Sequence, residues 1–470
     1  MKKYLLLITS VVILSCASDN DFELLNKDPN NPTQVSAEAL FTSATKSLFD
    51  QMESTNVNTN IFRLLSQYWT ETTYIDESNY DFNTRNIPQN HWGEMYRDVL
   101  YDLKNAKGNA STDKQKGMIT VLEVYTWQQL VDTFGDIPYT NALQGKEEPT
   151  PAYDDDAVIY TNLLVRINSA ITLLNASDAG FTGADIIYGG NIEKWKKLAN
   201  SVKLKIAMRM ADADNTTIAQ TAAQEAVSAG VFTSNDDNAT LAYQNSTPNT
   251  NPLWVDLVQS NRSDFVVANT IVDYMNTLED PRRTNYFDNN LGAGIYTGGT
   301  YGDNNTFSVY THIGDRMYDP TFRGVLLDYA EVSFLLAEAR ERNYTVGGTA
   351  ESHYTDGITA SMLDWGVESS DINDYLANPA VNYNTATGTW RQKIGFQFWI
   401  AMYNRGFEGW CIYRKYDAPT MNTAVISGLP VPNRYTYPLN EPTLNAINYQ
   451  AAATAIGGDL QATKVFWDIN

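Results

Sequence analysis

The stretch "QQLVDTFGDIPYTNAL", residues 128–143, joins an apolar helical pattern to an abrupt stop. Leu130 and Phe134 lie one helical turn apart, so the first half predicts the end of an amphipathic helix. Gly135 follows at once, and glycine readily adopts the positive φ that closes many helices. Pro138 lacks a backbone N–H and prevents the helix from restarting there. The stretch therefore predicts a helical protein with sharp connections.

Two carboxylates, Asp132 and Asp136, lie four residues apart beside this break. Carboxylates in such a place accept hydrogen bonds from loop amides or pair with a basic helix. Oxygen ligands also suit calcium, so a cation site is the alternative. The pattern favours the structural interpretation, and we predict no metal and no cofactor.

Most of the chain beyond residue 36 repeats apolar residues at three- and four-residue steps, which predicts further helices. Helix pairs with short connections are typical of a tetratricopeptide-like scaffold, although no strict 34-residue signature is visible. The middle, residues 282–320, is rich in Gly, Asn, Asp and Tyr and predicts long irregular loops with room for a short hairpin. We therefore expect a mainly α fold with little β structure, in one domain over residues 36–470. Helices are predicted at 36–52, 90–108, 113–134, 153–174, 192–212, 216–229, 325–342, 348–364 and 390–405.

The N-terminus has the pattern of an export signal. Lys2 and Lys3 precede an apolar run at residues 4–14, which is shorter than the roughly 20 residues of a membrane-spanning helix. A small residue and then Cys16 follow, which resembles the bacterial lipobox. We predict that residues 1–15 are a lipoprotein signal peptide and that Cys16 is acylated; an ordinary cleaved signal with an incidental cysteine is the alternative. Residues 16–35 are polar and rich in Asp, Asn and Pro, which predicts a lipidated flexible tether.

Composition excludes several classes of protein. The net charge of −22 argues against nucleic acid as a partner, because phosphate binding needs a basic surface.

Cys411 is the other cysteine, and with Cys16 acylated it has no disulfide partner in the chain. It lies among aromatic and apolar residues, far in sequence from any histidine, which favours a buried apolar role over a nucleophilic one.

Nine stretches resemble the SusD/RagB family of nutrient-binding outer-membrane lipoproteins from Bacteroidota. They occur in family order and span nearly all of the mature chain, and the "DPR" and "YAEV" phrases resemble its second SusD-like subfamily. The matching stretches are "VDTFGDIPYTNAL" (131–143), "PAYDDDAVIY" (151–160), "WKKLANSVKLKIAMRMAD" (195–212), "LEDPRRTNYF" (278–287), "LLDYAEVSFLLAEARER" (326–342), "YTDGITASMLDWG" (354–366), "FEGWCIYRK" (407–415), "PNRYTYPLNEPTLN" (432–445) and "KVFWD" (464–468).

The resemblance implies a helical body with an irregular outer face, anchored to the outer membrane by its N-terminal lipid. Acidic residues soon after Cys16 are similar to the surface-export signal of Bacteroidota lipoproteins, which favours exposure on the cell surface. The implied partner is a SusC-like TonB-dependent transporter, to which the protein delivers a captured nutrient, most often an oligosaccharide. A structural helical-repeat adaptor and a glycan-degrading surface enzyme are the alternatives.

The best candidate for an enzymatic carboxylate pair is Glu331 and Glu338, which lie two helical turns apart on one face. The surrounding helix is apolar nearly all round, so a buried ion-pair network is the favoured interpretation. The sequence contains no nucleotide-binding, zinc-protease or serine-hydrolase motif. We therefore predict that the protein is not an enzyme. The proposed partners of the two glutamates belong to one basic segment: Lys194, Lys196, Lys197, Lys203, Lys205 and Arg209.

Sugar rings stack on flat aromatic side chains, so exposed aromatic residues in polar loops are the candidate ligand-binding residues. Each tyrosine can instead pack its ring inward and leave only its hydroxyl in water. Trp254 can lie at the surface or fill the core, whereas Trp92, Trp127 and Trp195 lie on helical stripes and are expected in the core. No family motif marks the ligand contacts. The candidates are Tyr74, Tyr80, Trp254, Tyr286, Tyr296, Tyr301 and Tyr310.

Overall fold

A computed structural model describes residues 35–213 and 216–469, and it confirms a mainly α fold. The predicted signal peptide, Cys16 and almost all of the tether lie outside the described residues. The domain boundaries at residues 15, 35 and 470 stay predictions.

Helices form most of the first half of the described chain, and a π-helical segment, Glu94–Leu100, joins α3 to α4. Except for α2, which was not predicted, their positions agree with the predicted helices to within a few residues. The helices are α1 (Ala37–Glu53), α2 (Phe62–Leu65), α3 (Ile87–Gly93), α4 (Tyr101–Asn109), α5 (Asp113–Phe134), α6 (Asp156–Leu174), α7 (Ile192–Arg209) and α8 (Thr216–Ala229).

The second half alternates helices with long irregular segments. The predicted helix at 325–342 begins only at Tyr329, because the preceding residues form a strand. Helices α9, α10, α11, α14, α16, α17 and α18 were not predicted. The helices are α9 (Pro252–Trp254), α10 (Asn269–Thr277), α11 (Arg283–Tyr286), α12 (Tyr329–Glu341), α13 (Ala350–Asp364), α14 (Ser369–Ala377), α15 (Trp390–Ala401), α16 (Gly406–Tyr416), α17 (Glu441–Leu444) and α18 (Ala446–Ala455).

Side-chain caps fix where the main helices begin. The Ser36 hydroxyl accepts from the Ala39 N–H at 3.2 Å, and the Asp328 carboxylate accepts from the Glu331 N–H at 2.7 Å. These bonds satisfy backbone donors that have no partner within the helix. Helices adjacent in the chain then pack together, notably α5 with α6, α6 with α7, α7 with α8, and α12 with α13. This pairing is the predicted tetratricopeptide-like arrangement.

Helix α6 is long and apolar enough by composition to span a membrane. One face of α6, which includes Ile159, Leu163 and Ile167, is buried in the core against α5 and α7. This burial accounts for part of its apolar composition, since Val158 and Val165 on the other face are each 62% exposed.

The break after α5 is structural, as expected. Gly135 has φ +77° and donates its N–H to the Val131 carbonyl at 2.8 Å, which closes the helix. Asp132 lies 3.6 Å from Arg209 of the basic helix α7 and accepts from the Trp467 indole N–H at 2.8 Å. Asp136 accepts from the backbone N–H of Asp156 at 3.0 Å. The two carboxylates therefore hold the helix end to its surroundings.

Two short antiparallel ladders supply the β structure of the described residues. β1 (Trp69–Glu71) pairs with β3 (Phe265–Val267), and β2 (Ala239–Leu241) pairs with β4 (Gly324–Leu327). Each joins segments that are far apart in sequence. The β1–β3 ladder matters most here, because irregular segments leave it on both sides.

Charged side chains from α7, α12 and α16 meet inside the core. Lys205 lies 3.2 Å from Glu331 and also pairs with Glu408. Arg405 lies 2.5 Å from Glu331, and Arg209 lies 3.0 Å from Glu408. All five residues are buried. Burial alone would lower the pKa of Lys205, but the charges of Glu331 and Glu408 outweigh burial and raise it. The predicted network around Glu331 is thus confirmed through Lys205.

Glu338 belongs to a neighbouring cluster. It lies 2.9 Å from Lys415 and 2.8 Å from Arg342, and it accepts from the Tyr416 hydroxyl. The prediction that the basic helix pairs with Glu338 is therefore wrong, because α16 and the end of α12 supply the partners. The other lysines of α7 have different partners: Lys194 bonds the Asp236 carbonyl, Lys196 pairs with Glu193, Lys197 with Asp237 and Lys203 with Glu225.

Cys411 and the predicted core tryptophans lie where expected. Cys411 is fully buried, and burial raises the pKa of its thiol to about 12, which keeps it protonated at neutral pH. Trp127 and Trp195 are buried, and Trp92 packs against the core while partly exposed.

Candidate functional site

The β1–β3 ladder positions the most exposed of the candidate aromatic residues. In this antiparallel pair, Glu71 at the end of β1 lies opposite Phe265 at the start of β3. The pairing continues beyond the strands, since the Thr72 N–H donates to the Asp264 carbonyl at 2.8 Å and its hydroxyl donates to the Ser263 carbonyl at 2.6 Å. The segment after β1 is therefore held beside the segment before β3.

Tyr74 lies on this segment with 67% of its surface exposed. The Arg262 guanidinium lies 5.8 Å from the centre of the Tyr74 ring, in the range of a cation–π contact. Asp264 lies 2.5 Å from Arg262 and orients it. Tyr74 has φ +55°, a conformation uncommon for a residue with a side chain. The arrangement presents a flat ring to solvent beside a donor group that can bind hydroxyl oxygens.

A buried carboxyl pair fixes the loop that carries Tyr74. Glu71 accepts from the Ser78 backbone N–H at 2.8 Å, and the Ser78 hydroxyl accepts from the Glu71 N–H at 3.2 Å. Burial and the neighbouring Glu77 carboxyl hold the pKa of Glu71 well above its usual range. Arg85 pairs with Glu77 from the other side. The ends of the loop are thus tied together, which preorganises the ring between them.

A second irregular segment packs on the same ladder. The Asn305 amide donates to the Glu71 carbonyl at 3.0 Å, and the Val267 N–H donates to the Thr311 carbonyl at 3.1 Å. Phe307 lies between these anchors, and its ring stacks on that of His312, just after the second anchor, with centroids 3.8 Å apart. Phe307 and His312 were not among the predicted candidates, although an aromatic residue among Asn and Thr met the criterion applied to the tyrosines.

Tyr310 lies on this second segment and is half-buried, as is Trp254 at the end of α9. Trp254 is therefore neither fully exposed nor a core residue. Ligand contact by Tyr74, Trp254 and Tyr310 stays a prediction.

Four of the predicted aromatic platforms lie inside the protein, so the expectation that they are exposed is wrong. Tyr286 stacks on Tyr403 at 4.3 Å and donates its hydroxyl to the Ile400 carbonyl. In each of the four, the ring packs in the core and the hydroxyl finds an internal acceptor or donor, which removes the need for water. The buried residues are Tyr80 (2% exposed), Tyr286 (0%), Tyr296 (8%) and Tyr301 (1%).

Glu331 and Glu338 do not form an accessible acid–base pair. Both are buried, at 1% and 0% exposure, and each is already paired with two cations. A glycosidase requires both carboxyl groups to reach the scissile bond. The geometry therefore assigns these residues to the core.

Asp136, Asp155 and Asp156 bring carboxylate oxygens within 4.8 Å of one another near the start of α6. All three carboxylates already accept backbone N–H groups, Asp136 from Asp156, Asp155 from Val158 and Asp156 from Phe466. Burial raises the pKa of Asp136 to about 6 and that of Asp156 to about 7. The absence of a metal from this place stays a prediction.

Asp156→Asn is expected to reduce the pH dependence of stability. Because the folded-state pKa lies above the unfolded value of 3.8, the native protein binds more protons between about pH 4 and 7. The free energy of unfolding therefore falls as pH rises through that window and levels off above it. Between pH 5 and 8, the free energy of unfolding of the asparagine variant should fall by about 2 kcal/mol less than that of the wild type. Urea unfolding at the two pH values measures the difference. An unchanged pH dependence would contradict this assignment.

Comparisons with known proteins agree with the fold and with the family suggested by the sequence. The family model SusD-like_2, described as starch-binding and associating with the outer membrane, matches residues 29–438. A chitin-binding protein of solved structure is 25% identical, with a TM-score of 0.80 over 92% of this chain and 100% of that chain. A SusD homolog from Bacteroides uniformis is 27% identical, with a TM-score of 0.77 over 92% of this chain and 99% of the other. A SusD homolog from Bacteroides ovatus is 25% identical, with a TM-score of 0.79 over the same shares. The search of curated proteins gives no match.

Proposed function

Because the chain belongs to the SusD-like family described as starch-binding and associating with the outer membrane, we propose that it captures a neutral glycan and delivers it to a SusC-like TonB-dependent transporter. The N-terminal lipid on Cys16 anchors it to the outer membrane, with the body exposed on the cell surface. The protein binds its cargo without cleaving it.

One observation carries this proposal: the Tyr74 ring is exposed on a preorganised loop, and Arg262 lies beside it. The apolar face of a sugar ring stacks on such an aromatic ring, while guanidinium and amide groups bind its hydroxyls. The net charge of −22 disfavours anionic ligands, so a neutral glycan suits the surface better than an acidic one. The chitin-binding relative supports the same class of ligand.

Purification of the tagged full-length protein in gentle detergent tests the anchor and the partner together. We expect the wild type to incorporate labelled palmitate and to co-purify with a large TonB-dependent barrel. Cys16→Ala should lose the label and the membrane fraction, because a soluble chain has no anchor. Cys411→Ala is the matched control and should behave as the wild type, since Cys411 is buried.

A lipidated wild-type protein that reaches the outer membrane without a barrel would contradict delivery to a transporter. Release of shortened products from a glycan would support the surface-enzyme alternative. Co-purification with the barrel but no glycan binding would support the structural-adaptor alternative.

A further inference from the structure

A cleft of about 470 Å³ opens between α10, α15 and the segment after α16, apart from the loop of Tyr74. Its volume is in the range of small-molecule sites, about 300–1,000 Å³. Its lining includes Tyr274, Gln392, Lys393, Phe396, Asp417 and Thr420.

Two aromatic rings form one wall of the cleft. Tyr274 and Phe396 pack edge to face, with centroids 5.0 Å apart and planes at 71°, and both are half-buried. The Tyr274 hydroxyl donates to the Thr420 carbonyl at 2.9 Å, which fixes the ring. A rigid aromatic wall of this kind binds a flat apolar surface with little loss of side-chain entropy.

Polar groups of both kinds face the same space. The Gln392 side-chain oxygen accepts from the Thr389 N–H at 2.9 Å, and its NH₂ group has no partner among residues 35–213 and 216–469. Lys393 donates to the Tyr383 carbonyl at 2.9 Å and retains further N–H donors. Asp417, exposed at the end of α16, adds a carboxylate acceptor. The charges of Lys393 and Asp417 cancel, so the lining suits a ligand that has hydroxyl groups and no net charge.

The segment after the cleft bonds to residues on either side of the loop that carries Tyr74. The Asn422 backbone N–H donates to the Gln67 side chain at 2.9 Å, and the Ser427 N–H donates to the Asn79 side chain at 2.9 Å. The cleft and the Tyr74 loop are thereby linked through one segment, and a glycan of several sugars that contacts both gains two contact regions. Two linked contacts bind a long chain more tightly than either does alone.

We propose that this cleft is a second saccharide subsite, which holds one or two neutral sugar rings against Tyr274 and Phe396. The proposal rests on the proposed function, because it assumes that the cargo is a neutral glycan. It adds a separate prediction, which is that affinity rises with chain length through residues remote from Tyr74.

Calorimetric titration of the mature chain with chitohexaose and maltohexaose tests the subsite. For the hexamer that the wild type binds, we expect Phe396→Ala and Gln392→Ala each to weaken affinity about fivefold or more. Gln392 is exposed and its substitution removes one capping hydrogen bond, so we expect the Gln392 variant to fold even if Phe396→Ala unfolds the protein. Lys104→Ala, far from the cleft lining on α4, is the control and should bind as the wild type.

The subsite would be overturned if Gln392→Ala and a folded Phe396→Ala bind with wild-type affinity while Tyr74→Ala weakens binding. The proposed function would then still stand. Binding of neither hexamer by the wild type would overturn both. Weakened binding in the cleft variants with an unchanged circular dichroism spectrum supports the subsite.

Discussion

Lys205→Met is expected to lower the free energy of unfolding by about 3–5 kcal/mol. Lys205 is 1% exposed and lies between two buried carboxylates, 3.2 Å from Glu331 and in contact with Glu408. Methionine keeps the apolar length of the side chain and removes only the charge. Two buried carboxylates then lack their shared cation. Urea unfolding at pH 7 measures the difference.

Lys203→Met is the matched control, two residues earlier on the same helix. Lys203 is also buried, but its partner Glu225 is 58% exposed at the side chain and returns to water when the pair is broken. Its loss should cost less than about 1 kcal/mol. If the two substitutions lower the free energy of unfolding equally, the paired charges of the core stabilise the protein no more than a surface pair does.

Tyr74→Ala is expected to weaken binding of a neutral hexasaccharide at least tenfold, which corresponds to about 1.4 kcal/mol. The substitution removes the flat exposed ring and leaves Arg262 without its aromatic neighbour. The free energy of unfolding should change little, because 67% of Tyr74 is already in water. Calorimetry with the hexamer that the wild type binds measures the affinity.

Tyr101→Ala is the control for this measurement. Tyr101 is also an exposed tyrosine, at 45%, but lies at the start of α4 and away from the β1–β3 ladder. Its substitution should leave the affinity unchanged. If Tyr74→Ala binds as tightly as Tyr101→Ala, the ligand contacts lie elsewhere on the protein.

The helices were predictable wherever one apolar stripe repeats over several turns, as in α1 and α5. The strand β4 was not, because its run of Gly324–Leu327 is apolar and only Asp328 separates it from the apolar helix α12. Periodicity cannot separate a short buried strand from the first turn of a buried helix. The partner strand β2 lies more than 80 residues earlier, so the pairing is invisible to a local pattern.

The site was predictable only in part, for a different reason. Tyr74 and Tyr80 occur in the same polar stretch, yet Tyr74 is exposed and Tyr80 is buried against Tyr301. The tyrosine side chain suits both environments, since its ring packs and its hydroxyl bonds. Contacts with residues far away in the sequence, Arg262 for Tyr74 and Tyr301 for Tyr80, decide between them. Arg262 became a candidate only when the β1–β3 ladder placed it beside Tyr74.

The buried charges around Lys205 also bear on how the protein resists proteases. A protease needs an unfolded segment of chain, and many proteins supply one by releasing a single helix. Release of α7, α12 or α16 alone would leave unpaired charges in an apolar interior, at a cost of several kcal/mol beyond the lost packing. Cleavage within these helices should therefore follow global unfolding, which would be useful to a protein with the proposed position on the cell surface.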